Sequence, residues 1–280
     1  MNLEYLTNFD EIGYWSEIKL DIVKEYAKAY STIMSGEKQK SFYHIYIDGF
    51  SGAGKHFSKT SQDFVPGSPL NALLIKPPFR EYHLIDLDGD KIGELKKIVG
   101  ERQDVNIYEG DCNEILLKDI FPKIQYEHYR RGLCLLDPYG LHLNWEVIRT
   151  AGQLRTIDMF LNFPIMDMNR NTLWRQPEKV SQKNIERMNY FWGDESWRGV
   201  AYRKTRTLFG YEEEKSSNEV IANAFQERLK KVAGFLKVPS PLPMYNSKGA
   251  VVYYLFFASQ KPVAQKIVTD IFKKYKGRGG

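Results

Sequence analysis

The sequence predicts an α/β protein on a Rossmann-like, doubly wound and largely parallel sheet, with a helical insert and a C-terminal antiparallel hairpin. Two observations carry this. Over the first 165 residues, short β-rich runs alternate with helical patterns, as parallel βαβ units require. Further on, "PLPMYNSKGAVVYYLFFAS" (241–259) sets two β-rich runs on either side of a polar turn, "NSKG".

The elements follow in order. "EIKLDIVKEYAKAYSTIMSG" (17–36) has Leu20, Val23, Ala27, Tyr30 and Met34 at helical spacing and stops at Gly36. "SFYHIYID" (41–48) is a strand that runs into a glycine-rich loop, after which a helix is expected. "PGSPLNALLI" (66–75) starts like a helix capped by Ser68 with Pro69 in its first position. "EYHLIDLD" (81–88), "VNIYEGDCN" (105–113), "GLCLLDPYG" (132–140) and "RTIDMFLNFP" (155–164) read as further strands, and "KIGELKKIVG" as a helix closed by Gly100. From about 166 to 235 the pattern becomes Trp- and Arg-rich and helical. "PVAQKIVTDIFKKY" (262–275) is a closing helix, and the final "KGRGG" is expected to fray. The expected divisions are a core over 1–165, an insert over 166–235, and a hairpin and helix over 236–280 that complete the sheet.

Composition narrows the class. With 42% hydrophobic and 14% aromatic residues, 280 residues suffice for a packed core. Two cysteines, Cys112 and Cys134, are too few for a disulfide framework, and the acidic start "MNLEYLTNFDEIGYW" does not read as a signal peptide. No apolar run approaches the roughly 20 residues that cross a bilayer. A soluble, cytoplasmic protein with no membrane partner is expected. The charge of +5 is uneven: residues 168–211 and 261–280 are each +5 and the remainder is −5, as a basic substrate-facing half beside an acidic nucleotide-binding half would be. Ordinary solvated charge gives the same asymmetry.

In a doubly wound sheet the ligand sits beyond the carboxyl ends of the strands, where the strand order reverses. Asp48, Asp86, Asp111 and Asp137 fall there. The loop "YIDGFSGAGKH" (46–56) has two readings. As G-x-x-x-x-G-K, Gly49 to Lys55 resembles a phosphate-binding P-loop, but His56 takes the place of the magnesium-binding hydroxyl. "LCLLD" would then supply the magnesium-holding Asp. As D-G-F-x-G-x-G, Asp48, Gly49, Phe50, Gly52 and Gly54 would wrap the amino-acid end of S-adenosylmethionine, with no triphosphate or metal involved.

The second reading explains more residues with one ligand. A ribose diol wants a carboxylate, which Asp86 or Asp88 offers, and an adenine wants a polar edge, which Asp111, Cys112 and Asn113 offer. A nicotinamide dinucleotide fits poorly, because the glycine order misses G-x-G-x-x-G. Any single Asp here has the alternative of capping a helix, and Cys112 that of small buried packing.

Together "YIDGFSGAG", "PGSPLNAL", "EGDCNEIL", "LLDPYG" and "LFFASQKPVAQKI" resemble the bacterial three-Cys-motif partner protein family of methyltransferase-like proteins, over about Lys19 to Ile267. The resemblance implies a class I methyltransferase fold, S-adenosylmethionine as cofactor, and a three-Cys-motif protein as partner. The glycine loop and "PGSP" also resemble ribosomal RNA adenine-N6 methyltransferases. That resemblance implies cofactor roles for Lys19, Ser68, Asp86 and Asp111.

The departure is in the fourth strand. Adenine-N6 enzymes carry D-P-P-Y or N-P-P-Y, whose first side chain and proline carbonyl hold the exocyclic amine while the aromatic ring stacks on the base. Here "DPYG" keeps Asp137 and Pro138 but moves the aromatic, Tyr139, one position forward. Asp137, Pro138 and Tyr139 are the expected catalytic residues, with Asp137 orienting the acceptor amine. Asp137 has its own alternative as a cap on the next helix.

In the insert, Trp174, Trp192 and Trp197 with Arg170, Arg175, Arg187, Arg198, Arg203 and Arg206 could hold DNA or RNA, or could be core and solvated charge. "LNFP" (161–164) reads as a wall of the pocket. Three functions stand: a methyltransferase acting on a nucleic acid base, adenine N6 first; a non-catalytic partner of a three-Cys-motif or radical enzyme; and a P-loop-like NTPase.

Overall fold

The computed structural model describes residues 9–37, 41–207 and 210–276, so most of the "KGRGG" end lies outside them. A two-residue strand β1 (Glu11–Ile12) leads into α1 (Tyr14–Met34), which buries Leu20, Val23, Ala27 and Tyr30 of the expected stripe with Ile18, Ile22 and Tyr26 beside them, and leaves Met34 half-buried. Then comes β2 (Tyr43–Asp48), buried at five of its six positions, as a central parallel strand must be.

Next, the glycine loop opens into strands, not the expected helix: β3 (Lys55–Ser58) and β4 (Phe64–Pro66) form a hairpin, and β1 adds to β3 in parallel. The rings of Phe57 and Phe64 meet edge-on at 5.7 Å and Phe9 packs on Phe64 at 5.1 Å, an apolar anchor that the Ser/Lys-rich composition of this stretch conceals. The helix α2 (Ser68–Leu73) follows, with Gly67 in the cap position predicted for Ser68.

The alternation predicted next is present as β5 (Glu81–Asp86), α3 (Gly89–Val99), β6 (Val105–Glu109), α4 (Cys112–Ile115), β7 (Arg130–Leu136), α5 (Trp145–Leu154) and β8 (Ile157–Phe163). In the insert come α6 (Ile165–Asn171), α7 (Gln182–Trp192) and α8 (Trp197–Ala201). Residues 202–207 and 210–215, expected to be helical, instead form an antiparallel pair, β9 (Tyr202–Thr207) and β10 (Gly210–Lys215), whose register sets Glu214 opposite Arg203. The β-favouring Tyr and Thr content of this stretch decides against the helix. Then follow α9 (Asn218–Lys231), β11 (Leu242–Tyr245), β12 (Val251–Ala258) and α10 (Pro262–Tyr275).

The main sheet has seven strands in the order β11-β12-β8-β7-β2-β5-β6. Strands β6, β5, β2, β7 and β8 are parallel, β12 is antiparallel to β8, and β11 is antiparallel to β12. One face packs on α1, α3 and α10 and the other on α5, α7 and α9. Trp192 and Trp197 are core residues, and Phe225 of α9 meets Phe163 at 4.6 Å and Trp192 at 5.4 Å, so insert and sheet share one apolar interior. Trp174 stays 41% exposed. Among the described residues no helix is long and apolar enough to cross a membrane.

Gly152 of α5 shows how close the insert lies. A Cβ there would stand 2.1 Å from the carbonyl oxygen of Ala233, so the backbones touch where no side chain fits. Gly152→Ala is expected to cost about 2 kcal/mol or more, lowering the melting temperature by roughly 4 °C or more in thermal unfolding. A variant that melts with the wild type contradicts this packing.

Candidate functional site

After β2 the chain runs outward to β5 and β6, then returns to pair β7 on the other side of β2, so the strand order reverses between β2 and β7. Above their carboxyl ends lies a cavity of about 480 Å³. Phe50 and Gly52 of the glycine loop and Ser68 line one side, Asp137, Pro138 and Tyr139 the other, and Lys19 reaches in from α1. Residues Asp10 to Ile12 cross over it.

Backbone bonds shape the loop. Gly49 N–H donates to Leu135 O at 3.0 Å and Ser51 N–H to Ile85 O at 2.8 Å, tying the loop to both neighbouring strands. Gly52 and Gly54 take φ of +61° and +86°, where only glycine is unstrained. A Cβ on Gly54 would stand 2.9 Å from the Leu95 side chain, whereas one on Gly52 would meet nothing within 4 Å. Asp86 is buried, and each carboxylate oxygen accepts one backbone hydrogen bond, from Gly52 N–H at 2.8 Å and from Asp88 N–H at 3.0 Å. Asp88 caps α3.

Asp137 is the charge at the centre. Lys19 Nζ is ion-paired to Oδ2, and Asn162 Nδ2 at the end of β8 donates to Oδ1 at 2.7 Å. Burial pulls the Lys19 ammonium down, but Asp137, Tyr253 and Asp48 beside it together outweigh that and hold it above its ordinary range. Tyr253 of β12 lies under Lys19, its ring centre 5.3 Å from Nζ, and burial pushes its phenol up to about 12. Asp48 is fully buried, accepts from Phe50 N–H at 3.2 Å, and is pushed up to about 7 by burial, against the Ser68 hydrogen bond that lowers it.

The cavity thus brings together Lys19, Phe50, Gly52, Ser68 and the Asp137-Pro138-Tyr139 loop. Asp48, Gly49, Gly54 and Asp86 lie behind its lining. Asp111 accepts from Asn113 N–H at 2.9 Å as the cap of α4, and with Asn113 lines a second cavity of about 660 Å³ beside α7. Cys112 is buried, and burial pushes its thiol up. Sequence reading missed Asp10 and Tyr253 as lining residues because they come from the two ends of the chain, and His56 because the loop was expected to enter a helix and not the strand β3 that carries it. Asn162, read in "LNFP" as a pocket wall, is one that also binds Asp137. Lys55 opens β3 with its side chain exposed, and no helix N-terminus follows the loop as a P-loop requires.

Comparison with known proteins places the fold. The chain matches no family profile and no curated protein. Among solved structures, a Legionella pneumophila protein of the DUF519 family superposes with a TM-score of 0.54 at 12% identity, over 93% of this chain and 94% of that one. A Listeria monocytogenes protein assigned as an S-adenosylmethionine dependent methyltransferase gives 0.43 at 10% identity, over 84% and 98%. A dimethyladenosine transferase from Plasmodium falciparum gives 0.36 at 14% identity, over 84% and 62%. The chain shares the fold of the Legionella protein, a Rossmann-like α/β fold on a largely parallel seven-stranded sheet.

Asp48 makes a pH prediction. Its folded pKa of about 7 stands above the ordinary 3.8, so the folded state holds a proton that the unfolded chain releases. The stability it contributes is present below about pH 4 and is lost as pH rises through 7. Asp48→Asn, which carries no charge, is therefore expected to gain stability over the wild type between pH 5 and pH 8, by about 1 kcal/mol or more in urea unfolding. Parallel stability curves for the two proteins would refute the assignment.

Proposed function

We propose that the chain is an S-adenosylmethionine-dependent methyltransferase acting on a nucleic acid base, with adenine N6 as the leading acceptor. The observation that carries this reading is that the glycine loop and the Asp137-Pro138-Tyr139 loop share one cavity at the switch point of the sheet. A polar ligand fits what the cavity offers: open space over Gly52, and two lining residues, His56 and Asn162, with buried polar atoms that have no partner.

Phe50, Gly52, Ser68 and Lys19 would hold the amino-acid end of the cofactor, over Asp48, Gly49 and Gly54, with Asp86 behind Gly52 on the ribose side; Asp111 and Cys112, expected at the adenine, are not among the residues lining this cavity. When bound, the cofactor supplies an electrophilic methyl group. The Asp137 carboxylate accepts a hydrogen bond from the acceptor amine and orients its lone pair, and the Pro138 carbonyl accepts a second. Lys19 and Asn162 fix the carboxylate's direction, and the residues crossing the cavity keep water from it.

A second reading, a non-catalytic partner of a three-Cys-motif or radical enzyme, is favoured by one observation: both Asp137 oxygens are already engaged. Nothing comparable favours the NTPase, since the glycine loop enters a hairpin.

Calorimetry with S-adenosylmethionine and S-adenosylhomocysteine is expected to show binding that weakens about 10-fold or more in Gly52→Val, which forces a β-branched residue into the left-handed region. No binding by the wild type at millimolar concentration ends the reading. Transfer of labelled methyl groups to single-stranded DNA or RNA is expected to fall roughly 100-fold or more in Asp137→Ala. Transfer that needs an added three-Cys-motif protein, and is indifferent to Asp137, supports the second reading instead.

A further inference from the structure

Tyr139 directly follows Pro138 and is 59% exposed. Groups from two other parts of the chain hold its ring. The Tyr139 hydroxyl donates to Asp10 Oδ2 at 2.8 Å. Lys91 of α3 donates to both Asp10 oxygens, at 2.9 and 2.7 Å, and its ammonium lies 5.2 Å from the centre of the Tyr139 ring. Asp10 is itself fixed, because its carbonyl accepts from Phe57 N–H at 3.0 Å where β1 joins β3. Burial and then Asp10 push the Tyr139 phenol up, so it stays a donor.

We propose that Asp10 and Lys91 are positioning residues that hold the Tyr139 ring at the cavity mouth as the stacking face for a planar nucleobase. This rests on the nucleobase reading above. A tyrosine one position early in the loop cannot rely on the loop's own geometry, and a charged clasp from the crossing strand replaces that constraint. The two charges of the clasp neutralise one another. Lys91 also donates to the Tyr139 hydroxyl at 3.3 Å, so both charges of the clasp hold the polar end of the ring, and the ring's wide exposure leaves its face for a base.

The test is a titration of a short single-stranded oligonucleotide carrying one 2-aminopurine, in the presence of S-adenosylhomocysteine, read by quenching of that base. Tyr139→Leu is expected to weaken binding roughly 5- to 150-fold, the range for one base–aromatic stack. Tyr139→Phe and Asp10→Ala should each weaken it about 2-fold or more, and Asp10→Ala should add nothing in the Tyr139→Leu background, as expected of a residue that acts through the ring. Lys91→Met, which leaves the hydroxyl–carboxylate bond in place, should also weaken binding, and thermal unfolding of each variant separates this from loss of fold. Additive losses from Asp10→Ala and Tyr139→Leu, or unchanged binding by Asp10→Ala, overturn the clasp and leave the nucleobase reading standing. A wild type that binds S-adenosylhomocysteine but no oligonucleotide overturns both.

Discussion

The ion pair between Lys19 and Asp137 is the contact on which the site depends. A buried ammonium costs several kcal/mol unless a partner and further hydrogen bonds offset its lost hydration. Lys19 lies on the inward side of α1 among apolar residues, so it has little choice of partner. Pairing with Asp137 joins the first helix to the end of β7, and Asn162 extends the link to β8. Three elements far apart in the chain thereby share one charged knot, and a carboxylate that would otherwise swing freely points into the cavity.

The glycine loop is held by a complementary device. Its backbone donates to the neighbouring strands, and Asp86 grips it from the side through Gly52 N–H. A carboxylate that accepts a backbone N–H fixes the path of the loop against the end of β5. The hairpin that follows the loop adds a roof, since it recruits β1 and carries Asp10 over the cavity.

Much of the scaffold was legible because its signals are local. Alternating β-rich and helical runs marked the five parallel strands, Gly100 closes α3, and "NSKG" turns the C-terminal hairpin, each through short-range conformational preference. The strand-end acids Asp48, Asp86, Asp111 and Asp137 were legible as a row. Two stretches misled. Lys55 to Pro66 hid a hairpin inside polar composition, its Phe57–Phe64 contact needing the chain to fold back first, and residues 202–207 and 210–215 followed a helical, Arg-rich pattern while their backbone paired as strands.

By itself, the sequence determined the order of elements and which residue types end each strand, because backbone propensity and hydrophobic period act over a few residues. Only the tertiary structure decided which of those residues meet. Asp111 turned to its helix cap, Asp86 to the glycine loop, and Asp137 to Lys19 at a separation of 118 residues. Such pairings follow from where burial leaves a charge or a polar atom without water, and that is settled when helices and sheet pack, at distances no local pattern encodes.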